Sequence, residues 1–169
     1  MAIDIGSRRE LFVDTTLVDS LTGHIHQHLH EPIDRGLVLN HNAPWEGTTS
    51  GYNTTIRDGD RFRMYYRGWN FDEHSKKEDV EACSCVAESA DGITWSKLSL
   101  DIIERDGSTD NNIILETDHL THNFAPFLDS NPDASYRYRG VGRGIGEQIY
   151  DLFAMHSDDG LNWASTYEH

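Results

Sequence analysis

One seven-residue pattern occurs twice and restricts the fold more than any other feature of the chain. Ser89-Ala90-Asp91-Gly92-Ile93-Thr94-Trp95 returns 68 residues later as Ser157-Asp158-Asp159-Gly160-Leu161-Asn162-Trp163. In S-x-D-G-x-x-W the Asp carboxylate can cap backbone N–H groups of its own turn, Gly takes the positive φ, and Trp packs between sheets. That chemistry assigns Asp91 and Asp159 to architecture rather than catalysis. A second echo runs alongside: Phe62-Arg63-Met64-Tyr65-Tyr66-Arg67-Gly68 corresponds to Tyr138-Arg139-Gly140-Val141-Gly142-Arg143-Gly144, an offset of 76. Internal repeats of this kind mark stacked supersecondary units that bury their apolar faces against one another.

Between the repeats the hydrophobic period is two, and no window carries a helical stripe. Strands are expected at Leu11–Val18, Tyr52–Arg57, Arg61–Gly68, Glu81–Glu88, Ile93–Leu98, Asn112–Leu115, Ala125–Asp129, Tyr136–Val141, Ile149–His156 and Leu161–Trp163. Asp58-Gly59-Asp60 between two such runs is a hairpin signal. Four antiparallel strands per repeat describe a blade of a β-propeller. The expected organisation is therefore all-β. An N-terminal strand and His-rich segment occupy residues 1–44, a first blade 45–105, and a linker with a second blade 106–169.

Charge narrows the partners. Lys and Arg total 14 against 29 Asp and Glu, so the net charge is 14 − 29 = −15. Nucleic acid and anionic membrane both reward a surplus of cations and are excluded as expected partners. No run approaches the roughly 20 apolar residues needed to span a bilayer. No secretory leader is visible, which makes a cytoplasmic location the default expectation. Cys83 and Cys85 share one strand face at i, i+2, poorly placed to bridge each other, and point to a reducing compartment.

Several stretches occur in a familiar order: LFVDTTLVD near the start, APWEG at 43–47, RFRMYYRG at 61–68, SADGITW at 89–95, DGSTDNNIIL at 106–115 and FLDSNPDASYRYRG at 127–140. Together they resemble a group of bacterial proteins, abundant in planctomycetes, that are similar to glycoside hydrolase families 32 and 43. The resemblance implies a five-bladed β-propeller with a sugar in the funnel at one end, of which this chain supplies about two blades at the N-terminal side. Two blades leave two open sheet edges, so either further copies in a homo-oligomer complete the ring or the edges are covered some other way.

That plan brings Trp45, Glu46, Tyr52, Asn53, Arg67 and Trp69 to the funnel from the first blade, and His122, Asn123 and Arg143 from the second. Glycosidic cleavage usually takes two carboxylates with aromatic faces to stack the sugar. Glu46 is the best carboxylate candidate, and Asp14 is the candidate first-blade acid. Relatives in those families draw three acids from three successive blades; here position 122 carries His where a second acid is expected.

Arg67 and Arg143 hold equivalent places in the repeat. Repetition favours an architectural role, and paired guanidinium forks on the carboxylate or sulfate of an acidic sugar are the functional alternative. Asp106 to Asn112 concentrates oxygen ligands, yet counting twelve from Asp106 reaches Thr117, so the EF-hand pattern for Ca²⁺ fails and a turn-and-cap reading is preferred. His24, His26, His28 and His30 would align on one face of a strand, where they either solvate an edge or bind Zn²⁺. GVGRGIG at 140–146 lacks the G-x-G-x-x-G spacing and a following helix, so it is not a dinucleotide loop. Two functions follow: a glycoside hydrolase-like protein hydrolysing or binding a glycan without a required cofactor, or a non-catalytic carbohydrate-binding module that oligomerises.

Overall fold

The computed structural model describes residues 4–72, 74, 77–78, 82–116, 121–143 and 152–165. The chain divides into two compact units, Met1–Asp34 and Arg35–His169. The described part of the first unit contains turns and bends without helix or strand. Asp14 there accepts a hydrogen bond from Thr16 N at 2.9 Å, and its carbonyl accepts one from Gln27 Nε2 at 3.2 Å.

The second unit is all-β, as the period of two requires. After a single 3₁₀ turn, η1 (Pro44–Glu46), the first sheet is built from β1 (Thr49–Asp58), β2 (Arg61–Trp69), β5 (Cys83–Ser89) and β6 (Ser96–Lys97) in that order. β7 (Ile113–Leu115) pairs with the free length of β5 beyond β6, and β3 (Phe71–Asp72) with β4 (Lys77–Glu78) forms a small separate hairpin. The second sheet has the order β11 (Ala164–Ser165), β10 (Leu152–Ser157), β9 (Tyr138–Arg143), β8 (His122–Leu128). All pairings are antiparallel. Each sheet therefore contains a four-strand meander whose third and fourth strands are joined by S-x-D-G-x-x-W.

The two turns are superimposable in their bonding. Asp91 Oδ1 accepts from Ile93 N at 2.8 Å and Thr94 N at 2.7 Å; Asp159 Oδ1 accepts from Leu161 N and Asn162 N, both at 2.8 Å. The indoles of Trp95 and Trp163 donate to the carbonyls of Gly92 and Gly160 at 3.2 and 3.1 Å. These backbone bonds, with those from Ser89 and Thr94, hold Asp91 well below the usual carboxylate range. Partial burial of Asp159 opposes ionisation, but bonds from Asn162, Leu161 and Ser157 win and bring it to about 2.

Alternation along β2 explains how the sheets stack. Arg63, Tyr65, Arg67 and Trp69 point to one face, Met64 and Tyr66 to the other. On the first face Ile56, Tyr65, Val86, Ile114 and Leu115 meet Phe124 and Met155 of the second sheet, flanked by Leu128, Leu161 and Trp163. The Phe124 and Trp163 rings pack edge-on at 4.8 Å, which Gly140 permits: a Cβ there would lie 2.7 Å from Phe124 Cε2. On the second face Tyr66, Cys83, Cys85, Ala87 and Ile113 are closed over by Leu39, Trp45, Met64, Trp95 and Ile103. Each fully buried large apolar side chain of these layers contributes about 2 kcal/mol.

The second repeat grips the first through its turn. Tyr65 Oη donates to Gly160 O at 3.0 Å, Arg63 Nη1 donates to Asp159 O, and Arg137 and Tyr138 both donate to the Asp58 carboxylate.

Several expected strands change on inspection. Leu11–Val18 forms bends and a turn rather than a strand: its bonds are local, Val13 N to Leu11 O and Val18 N to Thr15 O, and no strand pairs with it among the described residues of its unit. The His24–His30 stretch is likewise without strand pairing. Ile93–Leu98 shrinks to the two-residue strand β6, and Leu161–Trp163 is not a strand, β11 starting only at Ala164, since the Asp caps hold the residues before each Trp in the turn. Glu81, Gly144 and Ile149–Asp151 lie outside the described residues.

Candidate functional site

The sequence-selected residues fall into two groups on opposite faces of the first sheet. The first surrounds Glu46. Pro44 starts the 3₁₀ turn and carries Glu46 down onto β2, where Gly68 admits the backbone: a Cβ on Gly68 would lie 2.7 Å from Glu46 Cα. The Glu46 side chain is fully buried. Its Oε2 accepts from Ala43 N and Lys97 Nζ, both at 2.7 Å, and its Oε1 accepts from Tyr66 Oη at 2.6 Å. Tyr66 Oη in turn accepts from Asn112 Nδ2 at 2.7 Å, and Asn112 Oδ1 accepts from the Trp45 indole at 2.8 Å. Asn112 is completed by donation to Val86 O at 2.8 Å.

Burial pushes the Tyr66 phenol far up, with Cys85 and the bond to Glu46 adding to it. The His41 ring packs against Tyr66, tilted by 51° with ring centroids 4.2 Å apart, and burial lowers its pKa against the opposing pull of Glu46. Cys83 and Cys85 lie beside this network as free thiols with sulfurs 3.6 Å apart; burial raises Cys85. Here Glu46 is a neutralised, saturated charge at the centre of a packed layer. Tyr66, Lys97 and Asn112 are partners that sequence reading missed, because only the tertiary fold, and no local spacing, brings positions 46, 66, 97 and 112 together.

The second group runs along the ends of β2 and β9, with Arg67 on the face of the first sheet turned to the second sheet and Arg143 on the face of the second sheet that Val141 shares. The Arg67 guanidinium sits over the Trp69 ring at 4.5 Å. Tyr52 lies 6.0 Å from Trp69 and 6.4 Å from His122, and Arg143 Nη1 donates to His122 Nε2 at 3.3 Å. The five side chains thus form one strip across both repeats. Backbone irregularity positions it. The β1–β2 register slips between Gly51 and Thr54, and the β8–β9 register slips between His122 and Ala125. Each bulge holds a residue in the left-handed region, Tyr52 and Asn123, both at φ 56. Such bulges re-aim side chains and are common beside functional sites. Tyr52 is 52% exposed, whereas Arg67 is only 4% exposed. Asn53 and Asn123 are exposed on the two bulges.

Asp14, His24, His26 and His28 belong to the first unit. Asp14 caps its own turn, which lowers its pKa. His26 and His28 meet edge to face at 6.4 Å, and His28 and His30 at 4.9 Å. Among the described residues no group of three or more His, Cys, Asp or Glu is gathered around a position for a metal ion, whether Zn²⁺ at His24, His26 and His28 or Ca²⁺ at 106–112. The loop from Asp106 to Asn112 closes on itself instead: Asn111 Nδ2 donates to Ile103 O at 2.8 Å, and Asn111 Oδ1 accepts from Ile113 N at 2.9 Å.

Compared with protein-family models, curated proteins and solved structures, the chain gives no match.

Proposed function

We propose that the chain binds a carbohydrate, on a surface built from two successive blades of a β-propeller similar to those of glycoside hydrolase families 32 and 43. The observation that carries this reading is the strip of Arg67, Trp69, Tyr52, His122 and Arg143, which joins equivalent positions of the two repeats. A sugar presents an apolar ring face and a rim of hydroxyls. Tyr52 and Trp69 offer the stacking surface, and the arginines, His122, Asn53 and Asn123 offer directional polar groups, the mix expected of a small-molecule site.

Binding is favoured over hydrolysis for a physical reason. A glycosidase needs two carboxylates flanking the scissile bond. Glu46 is fully buried, on the opposite face of the first sheet from Arg67, and its oxygens are committed to Tyr66, Lys97 and Ala43. Copies of the chain associate in this reading, because the outward face of the second sheet exposes Phe127 (47%), Val141 (36%) and Leu152 (72%).

The test is calorimetric titration against a panel of oligosaccharides, with Trp69→Ala and Tyr52→Ala beside the wild type. One or more glycans bind, and each substitution weakens binding by about tenfold, the order expected for loss of a buried aromatic contact. No reducing ends are released on prolonged incubation. Absence of binding to every glycan would overturn the reading, and hydrolysis abolished by Glu46→Gln would replace it with the enzymatic one.

A further inference from the structure

Resting on the association of copies and independent of the sugar, we propose that one copy of the chain docks head to tail on another. The turn end of the first sheet, with Arg61, Ile93 and the Asp91-Gly92 turn, seats on the outward face of the second sheet of the next copy. The reasoning starts from register. In the first sheet Ile56 pairs with Arg63, Thr54 with Tyr65, and Tyr65 with Val86. In the second sheet Phe127 pairs with Arg139, Ala125 with Val141, and Val141 with Ala154. Ile56, Tyr65 and Val86 are the buried side chains on which the second sheet sits. Strand alternation gives Phe127, Val141 and Ala154 the same shared face, and all three are exposed. The second sheet thus repeats the seat that the first sheet offers and presents it to solvent.

The piece that fills such a seat is duplicated as well. Leu161 of the second turn packs against the core of the first sheet, and Arg137 donates to the Asp58 carboxylate. The repeat offsets of 68 and 76 put Ile93 at the place of Leu161 and Arg61 at that of Arg137. Ile93 is 42% exposed. The Arg61 side chain is 56% exposed, and its contact with Glu88 is a long one at 3.5 Å. Asp58 has an equivalent too: Asp58 pairs with Arg61, and Asp129 N bonds to Arg137 O at 3.0 Å. Asp129 meets Arg139 at 3.4 Å and accepts from Asn131 N at 3.0 Å. Arg61 of one copy therefore meets Asp129 of the next as Arg137 meets Asp58 within the chain, and this opposite-charge pair fixes the direction of docking. Leu39, Trp45 and Ile103 close the rest of that face of the first sheet, so the contact is confined to its turn end. Pairing of two second sheets with each other would give Arg61 no role and leave Ile93 exposed.

A head-to-tail contact uses two different surfaces, which makes it separable from a two-fold one by mixing. Phe127→Lys spoils the seat and Ile93→Lys spoils the turn end; sedimentation velocity follows each alone and the two in equal amounts. The wild type associates, and each variant alone is a 19.2 kDa monomer. Their mixture gives a heterodimer and nothing larger, because the intact turn end of one variant finds the intact seat of the other. Thermal melts check folding, and Val141→Lys and Arg61→Glu replace on the same two surfaces any variant that melts below the wild type. A mixture that stays monomeric, or an Ile93→Lys chain that still assembles alone, would overturn the head-to-tail contact and leave association intact. A monomeric wild type would overturn both, with glycan binding read separately by calorimetry.

Discussion

The carboxylate of Glu46 is a charge removed from water, and its cost is offset by three donors arriving from separate parts of the chain. Breaking such a pair from one side leaves the other charge uncompensated. Glu46→Gln is therefore expected to destabilise the protein by about 3 kcal/mol in urea unfolding, with Glu46→Gln/Lys97→Met recovering much of the loss. A single substitution that leaves stability unchanged would mean the Lys97 contact does not form. His41 gives a second residue-scale expectation. Burial lowers its pKa from 6.5, against Glu46 and with help from Lys97. As pH falls through 6.5 the unfolded chain takes up this proton first, so stability present above that value drains away towards the folded-state pKa. His41→Phe, which keeps the ring packing on Tyr66, flattens that slope between about pH 7 and pH 5 in denaturation series.

At the scale of elements, the S-x-D-G-x-x-W turns are the joints of the fold. Gly160 has φ 73, and a Cβ there would lie 2.6 Å from Arg63 Nη1 and 2.7 Å from Tyr65 Oη. Gly160→Ala thus combines backbone strain with a clash at the sheet-to-sheet contact and costs about 2–3 kcal/mol. Gly59→Ala, also at positive φ (62) but with open space around it, costs only the strain, about 1 kcal/mol. Equal losses in chemical denaturation would contradict the docking role of the second turn. The Asp159 carboxylate, at about 2, keeps its caps intact down to acid pH; their contribution begins to fade only below 3.8. These turns were legible in the sequence because their bonds are local: Asp159 binds residues two and three positions on. The hairpin at Asp58-Gly59-Asp60 was legible for the same reason. The Leu11–Val18 run was misread because a strand requires a partner, which no local pattern supplies. The Glu46 network was invisible because it depends on packing of the 3₁₀ turn against strands 20 and 51 positions away. The strip of Tyr52, Trp69, Arg67, His122 and Arg143 was named residue by residue, but the bulges that join it were not.

For the whole molecule, the exposed outer face of the second sheet and the net charge of −15 pull in opposite directions. Apolar burial on Phe127, Val141 and Leu152 favours association; like charge opposes it and is weakened by salt. Light scattering is expected to give a discrete oligomer of the 19.2 kDa chain, tighter at higher ionic strength, and Phe127→Lys returns it to monomer. A wild-type monomer at all salt concentrations would remove self-association from the account. The central claim, that a sugar stacks on Tyr52 and Trp69, has a more direct reporter. The chain has four tryptophans. The indole N–H groups of Trp45, Trp95 and Trp163 are committed to Asn112, Gly92 and Gly160, while Trp69 lies under Arg67 beside Tyr52. In ¹H–¹⁵N spectra of the protein titrated with an oligosaccharide that binds in calorimetry, the indole resonance that disappears in Trp69→Phe is expected to shift while the other three hold still. If no indole moves, or if one of the three internal indoles moves instead, the binding site is not this strip.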